Sequence, residues 1–316
     1  MADRKVIAVV GATGAQGGGL VRAILADPQG GFAVRALTRD PNADSAKALA
    51  AAGAEVVAAD VDDAESLKQA FAGCYGAYCV TFFWTHFSPE KEMAQAKAMA
   101  EAAKAAGLKH VVWSTLEDTR TLVPLSDDRM PTLQGKYKVP HFDAKGEADQ
   151  FFKDAGVPTT FLLASFYWDN FVHFGSGPKK GPDGDYLLTL PIGQAKMAGV
   201  AAEDIGKVAY GIFKAGTQYV GQAVGVAGEH LSGDEMAVAL SKALGKTVRY
   251  NGVPAAVFRS FGFPGADDLG NMFQVYDEFA APLNATRDVA RSKALNPALQ
   301  DFKTWLAGNA SRIPLD

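Results

Sequence analysis

The sequence has few cysteines, no long apolar run and no excess of basic residues. Its two cysteines, Cys74 and Cys79, have a spacing that fits neither a zinc site nor a disulfide framework, so we interpret them as reduced core thiols. No apolar stretch approaches the length that spans a bilayer, and MADRK runs directly into VIAVV, which leaves no room for a signal peptide. We therefore expect a cytoplasmic protein that does not contact a membrane.

Other absences narrow the chemistry. A net charge of -4 argues against a nucleic-acid surface, and no basic stripe overrides that charge. The five histidines are scattered without a metal-like pair, and no GxSxG elbow is present. We expect neither direct nucleic-acid binding, nor a metal site, nor a serine hydrolase.

The first half of the 316-residue chain shows a regular alternation of strand and helix signals. Residues 5–10 form a continuous apolar run that ends in glycine, as expected of a strand buried on both faces. Further strands are predicted at 33–37, 55–59, 77–82, 109–114 and 159–163, with helices at 14–27, 44–52, 63–72, 89–106 and 142–155. Strands separated by helices imply right-handed crossovers, so we predict an α/β fold with a Rossmann-type, doubly wound parallel sheet.

After about residue 165 this rhythm breaks, because glycine and proline separate shorter elements. Helices are predicted at 202–214, 233–244, 254–261, 268–278 and 297–307. We predict an NAD(P)-binding domain over residues 1–164 and a smaller mixed α/β lobe over residues 165–316 that packs on the sheet as part of one unit.

The strongest chemical signal is VIAVVGATGAQGGGL, where three glycines form GxxGxxG at a strand-to-helix turn. Such a turn lets the backbone approach a pyrophosphate, and the helix N-terminus offers unpaired N–H groups to it. The alternative is a purely structural glycine turn, but its place after the first strand of a βαβ unit favours a dinucleotide. The candidate cofactor-binding residues in this turn are Gly11, Ala12, Thr13, Gly14, Ala15, Gln16 and Gly17.

The type of dinucleotide is decided at the end of the second strand, which reads RALTRD. Arg39 occupies the place of the acidic residue that accepts hydrogen bonds from the ribose of NAD, and a guanidinium there can pair with the 2'-phosphate of NADP. The sequence therefore favours NADP, although the alternative of a solvated loop arginine stays open. Asp60 ends the third strand, where it either contacts the adenine or caps the helix predicted from residue 63.

The chain resembles the NmrA-like family of atypical short-chain dehydrogenases, which includes fungal nitrogen-regulation repressors and animal NADP(H) redox-sensor proteins. The segments that carry the resemblance are GATGAQGG, VRALTRDP, GAEVVAADVDD, HVVWSTLED, HFDAKGEADQFF, DAGVPTTF and FGFPGADDLGNMF. Similar proteins carry more basic residues after the arginine, whereas this chain has PNADSAK, which leaves Arg39 nearly alone to hold the phosphate.

The resemblance implies a Rossmann-type domain that binds NADP(H), often with little or no turnover. It also implies which residues contact the cofactor. Beyond the glycine turn they are Arg39, Asp60, Val61, Thr81, Phe82, Phe83, Lys145, Ala164, Ser165, Phe166 and Tyr167.

The stretch HFDAKGEAD places His141 where short-chain dehydrogenases have the tyrosine that moves the proton, four residues before Lys145. The positive charge of Lys145 and the helix N-terminus both disfavour the imidazolium, so we interpret His141 as a neutral cap or packing residue. Lys145 is predicted to hold the nicotinamide ribose hydroxyls. Its alternative is a solvated lysine that pairs with Asp149.

Other polar groups could rescue catalysis. Ser114 is near the place of the catalytic serine of short-chain dehydrogenases and could bind a substrate carbonyl, or it could cap the strand end. Tyr137 or Tyr167 could replace the missing phenol, although each is also a typical packing residue.

Two segments are candidates for the walls of the site. The irregular stretch 117–139, with Arg120, Arg129, Lys136 and Lys138, has the length of a functional lid. FFWTHF at 82–87 would supply aromatic rings for a flat ligand such as a quinone or an aryl carbonyl, or the rings would pack between the two lobes.

Two functions remain. The first is an NADP(H) sensor with a regulatory role and weak or no turnover, in which oxidised and reduced cofactor favour different lid or protein-partner states. The second is an NADPH-dependent reductase of a quinone or aryl carbonyl that uses Lys145, Ser114 or a tyrosine. A sugar-nucleotide epimerase would require the tyrosine that His141 replaces.

Overall fold

The computed structural model describes residues 4–315, and the following elements lie in that range. The strands are β1 (Lys5–Val9), β2 (Phe32–Thr38), β3 (Glu55–Ala58), β4 (Gly76–Cys79), β5 (His110–Thr115), β6 (Thr159–Leu163), β7 (Phe166–Tyr167), β8 (Lys179–Lys180), β9 (Tyr186–Thr189), β10 (Met197–Val200), β11 (Ala223–Gly225), β12 (Glu229–Leu231) and β13 (Val248–Asn251). The helices are α1 (Ala15–Ala26), α2 (Asp44–Ala51), α3 (Ala64–Phe71), α4 (Pro89–Ala105), α5 (Pro140–Ala155), α6 (Asn170–His173), α7 (Ala202–Lys214), α8 (Gly233–Leu244), α9 (Ala255–Arg259), α10 (Ala266–Glu278), α11 (Ala280–Thr286), α12 (Val289–Leu295) and α13 (Phe302–Asn309).

The centre of the molecule is a seven-stranded sheet in the order β11-β6-β5-β4-β1-β2-β3. Every pair in it is parallel, and β1 lies between β2 and β4, so the strand order reverses there. The predicted Rossmann-type doubly wound sheet is therefore confirmed. Ligands bind at the carboxyl end of such a sheet, at this reversal.

The seventh strand and a covering helix come from beyond residue 165. Strand β11 pairs with β6, and α7 packs across α1. This crossing needs glycine on both helices: a Cβ on Gly19 would collide with the backbone of Glu203, and one on Gly206 with the backbone of Leu20. The later part of the chain thus completes the sheet. It also braces the helix that follows the glycine turn.

A buried ion pair joins the two parts as well. Arg287, just after α11, has no exposed surface. Its guanidinium donates to both oxygens of the Glu117 carboxylate, at 2.5 and 2.8 Å. The same guanidinium donates to the carbonyl oxygen of Ala164 at 2.7 and 3.0 Å. Burial lowers the pKa of Arg287 and the paired carboxylate raises it, with a net rise, so the charge is retained.

The ends of α4 follow the local signals. Ser88 accepts a hydrogen bond from the Lys91 amide, Pro89 opens the helix and Gly107 follows it with φ 64°. Each residue satisfies a terminal requirement of the helix, because the first amides lack intrahelical acceptors and the residue after the last turn is left-handed.

Some predicted boundaries were wrong. The strand predicted at 77–82 ends at Cys79, because the chain turns there toward a 3₁₀ turn at Phe83–Thr85. The helix predicted from residue 297 begins at Phe302, where Asp301 caps it by accepting from the Thr304 amide. Helices α11 and α12 were not predicted.

Two small three-stranded sheets, β12-β10-β7 and β13-β9-β8, make up the mixed lobe with α8 to α13. Their strands are two to four residues long, too short for an alternating pattern to be recognised. Within residues 4–315 no helix combines the length and apolar character needed to cross a membrane.

Candidate functional site

The glycine turn lies at the carboxyl end of β1 and is shaped as a backbone cradle. Gly11 has φ 67°, a left-handed conformation, and a Cβ on Gly17 would collide with the Gly11 carbonyl. The first intrahelical bond of α1 runs from the Gly18 amide to the Gly14 oxygen at 2.8 Å. The amides of residues 15–17 therefore have no intrahelical acceptor and are free to bind an anion, whereas the Gly14 amide donates to the Gly11 oxygen at 2.9 Å.

At the end of β2, Arg39 and Asp40 play different parts. The Asp40 carboxylate accepts from the Asn42 amide at 2.8 Å and so stabilises the turn. Arg39 is exposed and makes no ion pair with a carboxylate in the described part of the chain. Its guanidinium is thus available to an external anion at this edge of the sheet.

Asp60 does not cap the following helix. Its carboxylate accepts from the Asp62 amide at 3.0 Å, in a local turn, while Asp63 caps α3 through the amides of Glu65 and Ser66. The helix-cap alternative for Asp60 was therefore wrong. Asp60 and Val61 are both partly exposed at the end of β3.

Gln16 joins the glycine turn to three strands. Its side-chain oxygen accepts from the Ser114 hydroxyl at 2.8 Å and from the Tyr78 hydroxyl, and its amide nitrogen donates to the Tyr167 hydroxyl. Ser114 is buried within β5 rather than at its end, so it neither caps the strand nor faces open space. Tyr78 was not predicted. Burial raises the pKa values of Tyr78 and Tyr167 well above the usual range, which makes both phenols poor acids.

Lys145 is held by a buried carboxylate that the sequence reading missed. Its ammonium lies 2.9 Å from Glu92 Oε1 and donates to the hydroxyl of Thr81 at 2.6 Å and to its carbonyl at 3.3 Å. The Thr81 hydroxyl in turn donates to Glu92 at 2.6 Å. Asp149 instead accepts from Thr115 and Trp113, so the alternative of a Lys145–Asp149 pair was wrong.

His86 completes this cluster on the far side of Glu92. Its Nδ1 accepts from the Ser88 amide at 3.1 Å, which leaves the ring hydrogen of the neutral form on Nε2. That nitrogen lies 3.4 Å from Glu92 Oε2, and neither atom has a hydrogen bond of good geometry. Burial lowers the pKa of His86, and Glu92 opposes this effect.

His141 is buried in the first turn of α5, as expected of a packing residue, but it also has a charged partner. Its Nδ1 lies 2.5 Å from Asp268 Oδ1, and its backbone amide donates to the other carboxylate oxygen at 3.1 Å. The ring packs on Trp84 at a centroid distance of 4.8 Å. Two carboxylates therefore offset the repulsion expected between Lys145 and a charged His141 ring. Asp268 lies at the ring and Glu92 at the ammonium.

The stretch predicted as a lid is fastened to α10. Asn271 donates to the carbonyl oxygens of Pro131 and Lys138 at 3.0 and 2.5 Å, and Gln274 donates to that of Arg129 at 3.0 Å. Tyr137 is buried, and its hydroxyl donates to Glu90 of α4 at 3.3 Å. It therefore packs the stretch against α4 and has no hydrogen bond to the Gln16 cluster.

In the turn after β6 only one side chain reaches the glycine turn. Ser165 donates to the Val226 carbonyl, Phe166 packs on Phe273, and the Ala164 carbonyl is taken by Arg287. Of the four residues predicted here as cofactor contacts, Tyr167 is the one joined to Gln16.

The aromatic segment 82–87 forms one side of a cavity of about 330 Å³. Phe83 is buried and lines the cavity, Phe87 is 40% exposed at its rim, and Phe82 is 52% exposed. The opposite side comes from the chain between α9 and α10, including Phe263. The rings therefore both pack on one another and line a space, which combines the two alternatives that the sequence left open.

The sequence and the fold are similar to those of several known proteins. An NmrA-like family domain-containing oxidoreductase, FrzB of Cladobotryum sp, is 29% identical over 85% of this chain and 82% of its own length. An NAD(P)H azoreductase of Xenophilus azovorans is 31% identical over 78% of this chain and 76% of its own. The solved structure of NmrA, a negative transcriptional regulator, in complex with NADP superposes with a TM-score of 0.78 at 25% identity, covering 96% of this chain and 95% of that one.

The sequence matches the NmrA-like family over residues 3–306. The match extends through the glycine turn, the Lys145 cluster and the segment that carries Asp268. The protein is a member of the NmrA-like family.

Proposed function

We propose that this protein binds NADP(H) at the carboxyl end of its parallel sheet and acts as an NADP(H) sensor with a regulatory role and weak or no turnover. The glycine turn would hold the pyrophosphate through the first amides of α1, and Arg39 would hold the 2'-phosphate. Five further predicted contacts would line the same edge: Asp60, Val61, Thr81, Phe82 and Tyr167. A bound nicotinamide would supply the capacity to carry a hydride.

Two observations support the cofactor. The glycine turn is too tight for a side chain at Gly17 and leaves the first amides of α1 without intrahelical acceptors, and Arg39 has no carboxylate partner in residues 4–315. The related NmrA structure in complex with NADP is consistent with both.

The regulatory proposal rests on one observation. The side chains at three positions that short-chain dehydrogenases use for proton transfer already have hydrogen-bond or ion-pair partners in this protein. His141 is bonded to Asp268, the Lys145 ammonium is paired with Glu92 and donates twice to Thr81, and the Ser114 hydroxyl donates to Gln16. Because each of these three groups already has a partner within the protein, it is poorly placed to give a proton to a substrate.

Calorimetric titration with NADP+, NADPH and NADH tests this proposal. A sensor responds to a ratio only through differential affinity or differential stabilisation of conformations. We expect NADP+ and NADPH to bind with clearly different affinities and NADH to bind hardly at all. Equal affinities for NADP+ and NADPH, with no difference in thermal stability between the two complexes, would contradict the sensor.

A second candidate is an NADPH-dependent reductase of a quinone or aryl carbonyl. The specific observation in its favour is the cavity lined by Phe83, Phe87 and Phe263, and relatives named as oxidoreductases agree with it. Steady NADPH oxidation with a panel of quinones and aryl aldehydes would select this candidate over the first. Since the Ser114 hydroxyl already donates to Gln16, its rate should show little dependence on Ser114.

A further inference from the structure

Arg259, the last residue of α9, is a cation without a carboxylate partner in the described range. Its Nη1 donates to the side-chain oxygens of Asn271 and Gln274 at 3.0 and 2.9 Å, and both acceptors are neutral amides. Neither Nε nor Nη2 has an acceptor within residues 4–315. Burial lowers the pKa of Arg259, and Asp267 only partly opposes this, which is the behaviour of an undercompensated charge.

The position of Arg259 is built by α10. A Cβ on Gly270 would collide with the Arg259 side chain, so this glycine lets the aliphatic part of the arginine lie directly on the helix. Asn271 and Gln274 on the same helix then orient the guanidinium. These three contacts to one helix hold a long side chain that would otherwise lose considerable entropy on ligand binding.

Arg259 lines the cavity beside Phe83, Phe87 and Phe263. At about 330 Å³ the cavity is within the range of small-molecule sites, roughly 300–1,000 Å³. Aromatic walls favour a flat ring, and a guanidinium with two unused donor nitrogens favours a planar anion that accepts two hydrogen bonds.

Two carboxylates also border the cavity, and neither forms an ion pair with Arg259. Asp268 gives one oxygen to the ring and the other to the backbone amide of His141. Asp267 is exposed to solvent and lies beyond ion-pair distance of Arg259. Neither of them neutralises the guanidinium at short range.

We propose that this cavity binds a flat aromatic ring that carries a carboxylate, with Arg259 as the counter-ion and the phenylalanine rings as the walls. No residue of the glycine turn lines this cavity, so ligand binding here can be measured apart from binding of the pyrophosphate. In a sensor it would receive an effector. In a reductase it would select a substrate that carries a negative charge.

The test compares 2-naphthoate with its neutral analogue 2-naphthamide, titrated into the full-length protein with and without NADP+. We expect the wild-type protein to bind the carboxylate about tenfold more tightly than the amide, since a charge-assisted pair replaces a neutral contact. Arg259→Gln should remove that difference and leave naphthamide binding unchanged. Phe87→Ala should weaken both ligands, which would locate the ring in this cavity.

Arg249→Gln is the matched control, because it removes an equal charge from an arginine that is already paired with Asp185. It should leave both affinities unchanged. A wild-type protein that does not distinguish carboxylate from amide, or an Arg259→Gln variant that still does, would overturn the proposal. If Arg259→Gln fails to fold, the wild-type comparison still decides, because the preference for the carboxylate must also weaken as salt is raised. Naphthoate binding without NADP+ binding would refute the proposed function and leave this site standing.

Discussion

The Lys145 ammonium and the Glu92 carboxylate form a buried ion pair, with Nζ and Oε1 2.9 Å apart and no exposed surface on Glu92. In this chain Glu92 is the charged partner that Lys145 has in place of a neighbouring tyrosine phenol. The pair joins α4 to α5 and, through Thr81, to the chain that leaves β4. Lys145 therefore orders the region around the predicted nicotinamide position before any ligand arrives.

Breaking this pair should destabilise the fold. Glu92→Gln leaves a buried ammonium uncompensated, and we expect a loss of about 3 kcal/mol in the free energy of unfolding, measured in urea. Lys145→Met should cost a similar amount, and the double variant less than the sum, because the charges are removed together.

The control for this prediction is the exposed pair of Lys97 and Glu101, which are 3.9 Å apart. Glu101→Gln should change the free energy of unfolding by less than about 0.5 kcal/mol. A Glu92→Gln variant as stable as wild type would show that the pair is not buried in solution.

Arg39 should determine the choice between the two dinucleotides. Because Arg39 has no hydrogen-bond or ion-pair partner within residues 4–315, Arg39→Gln should leave folding unchanged. It should lower the affinity for NADP+ about tenfold or more, through loss of a charge-assisted contact to the 2'-phosphate. NAD+ binding should not fall. Arg312→Gln, which removes an equal charge from the exposed end of the chain, should leave both affinities unchanged in the same calorimetric titrations.

Asp149 and His110 should give opposite pH dependences of stability. Burial raises the pKa of Asp149 from 3.8 to about 6, so the folded protein takes up this proton first and gains stability as pH falls from about 6 to 4. Burial lowers the pKa of His110 from 6.5 to about 4, so the unfolded chain takes up that proton first and the folded protein loses stability over a similar range. Thermal unfolding of the wild-type protein should therefore change little with pH through these two groups.

Replacing one of the two residues should make the pH dependence that the other contributes measurable. Asp149→Asn should raise stability at pH 7 by up to about 3 kcal/mol, because a buried charge is removed, and should make unfolding more acid-sensitive. His110→Gln should do the reverse and let stability rise on acidification toward pH 4. Parallel pH profiles for wild type and both variants would refute these assignments.

The crossing of α1 and α7 should tolerate no added methyl group. Gly206→Ala places a Cβ against the backbone of Leu20 and Gln16, and we expect a loss of about 2 kcal/mol or more in stability. Gly308→Ala is the control, since nothing lies near the added Cβ in α13 and alanine is the better helix former. Differential scanning calorimetry of both variants measures the effect, and equal melting temperatures would contradict it.

The elements of the first half were predictable because their signals are local. An apolar run, a capping serine or a left-handed glycine reports on its own few residues. Ser88, Pro89 and Gly107 stand at the ends of α4, which the sequence placed at residues 89–106. The glycine turn and Arg39 were identified for the same reason.

The partners of the central polar groups were not predictable in this way. Gln16 and Tyr78 are 62 positions apart, and His141 and Asp268 are 127 apart, so only the folded chain brings each pair together. In the sequence Glu92 is one of two acidic residues in the first turn of α4. Nothing local distinguishes a buried carboxylate there from a solvated one.

The glycine contact between α1 and α7 makes the position of the glycine turn depend on residues that are synthesised much later. With the backbones of the two helices in direct contact, α1 cannot shift without carrying α7, and the chain after α7 leads directly into β11 at the sheet edge. Residues 4–164 on their own would expose the glycine face of α1 and leave β6 as an unpaired edge. Expressed as two separate fragments, the protein should regain its fold only when both are present together.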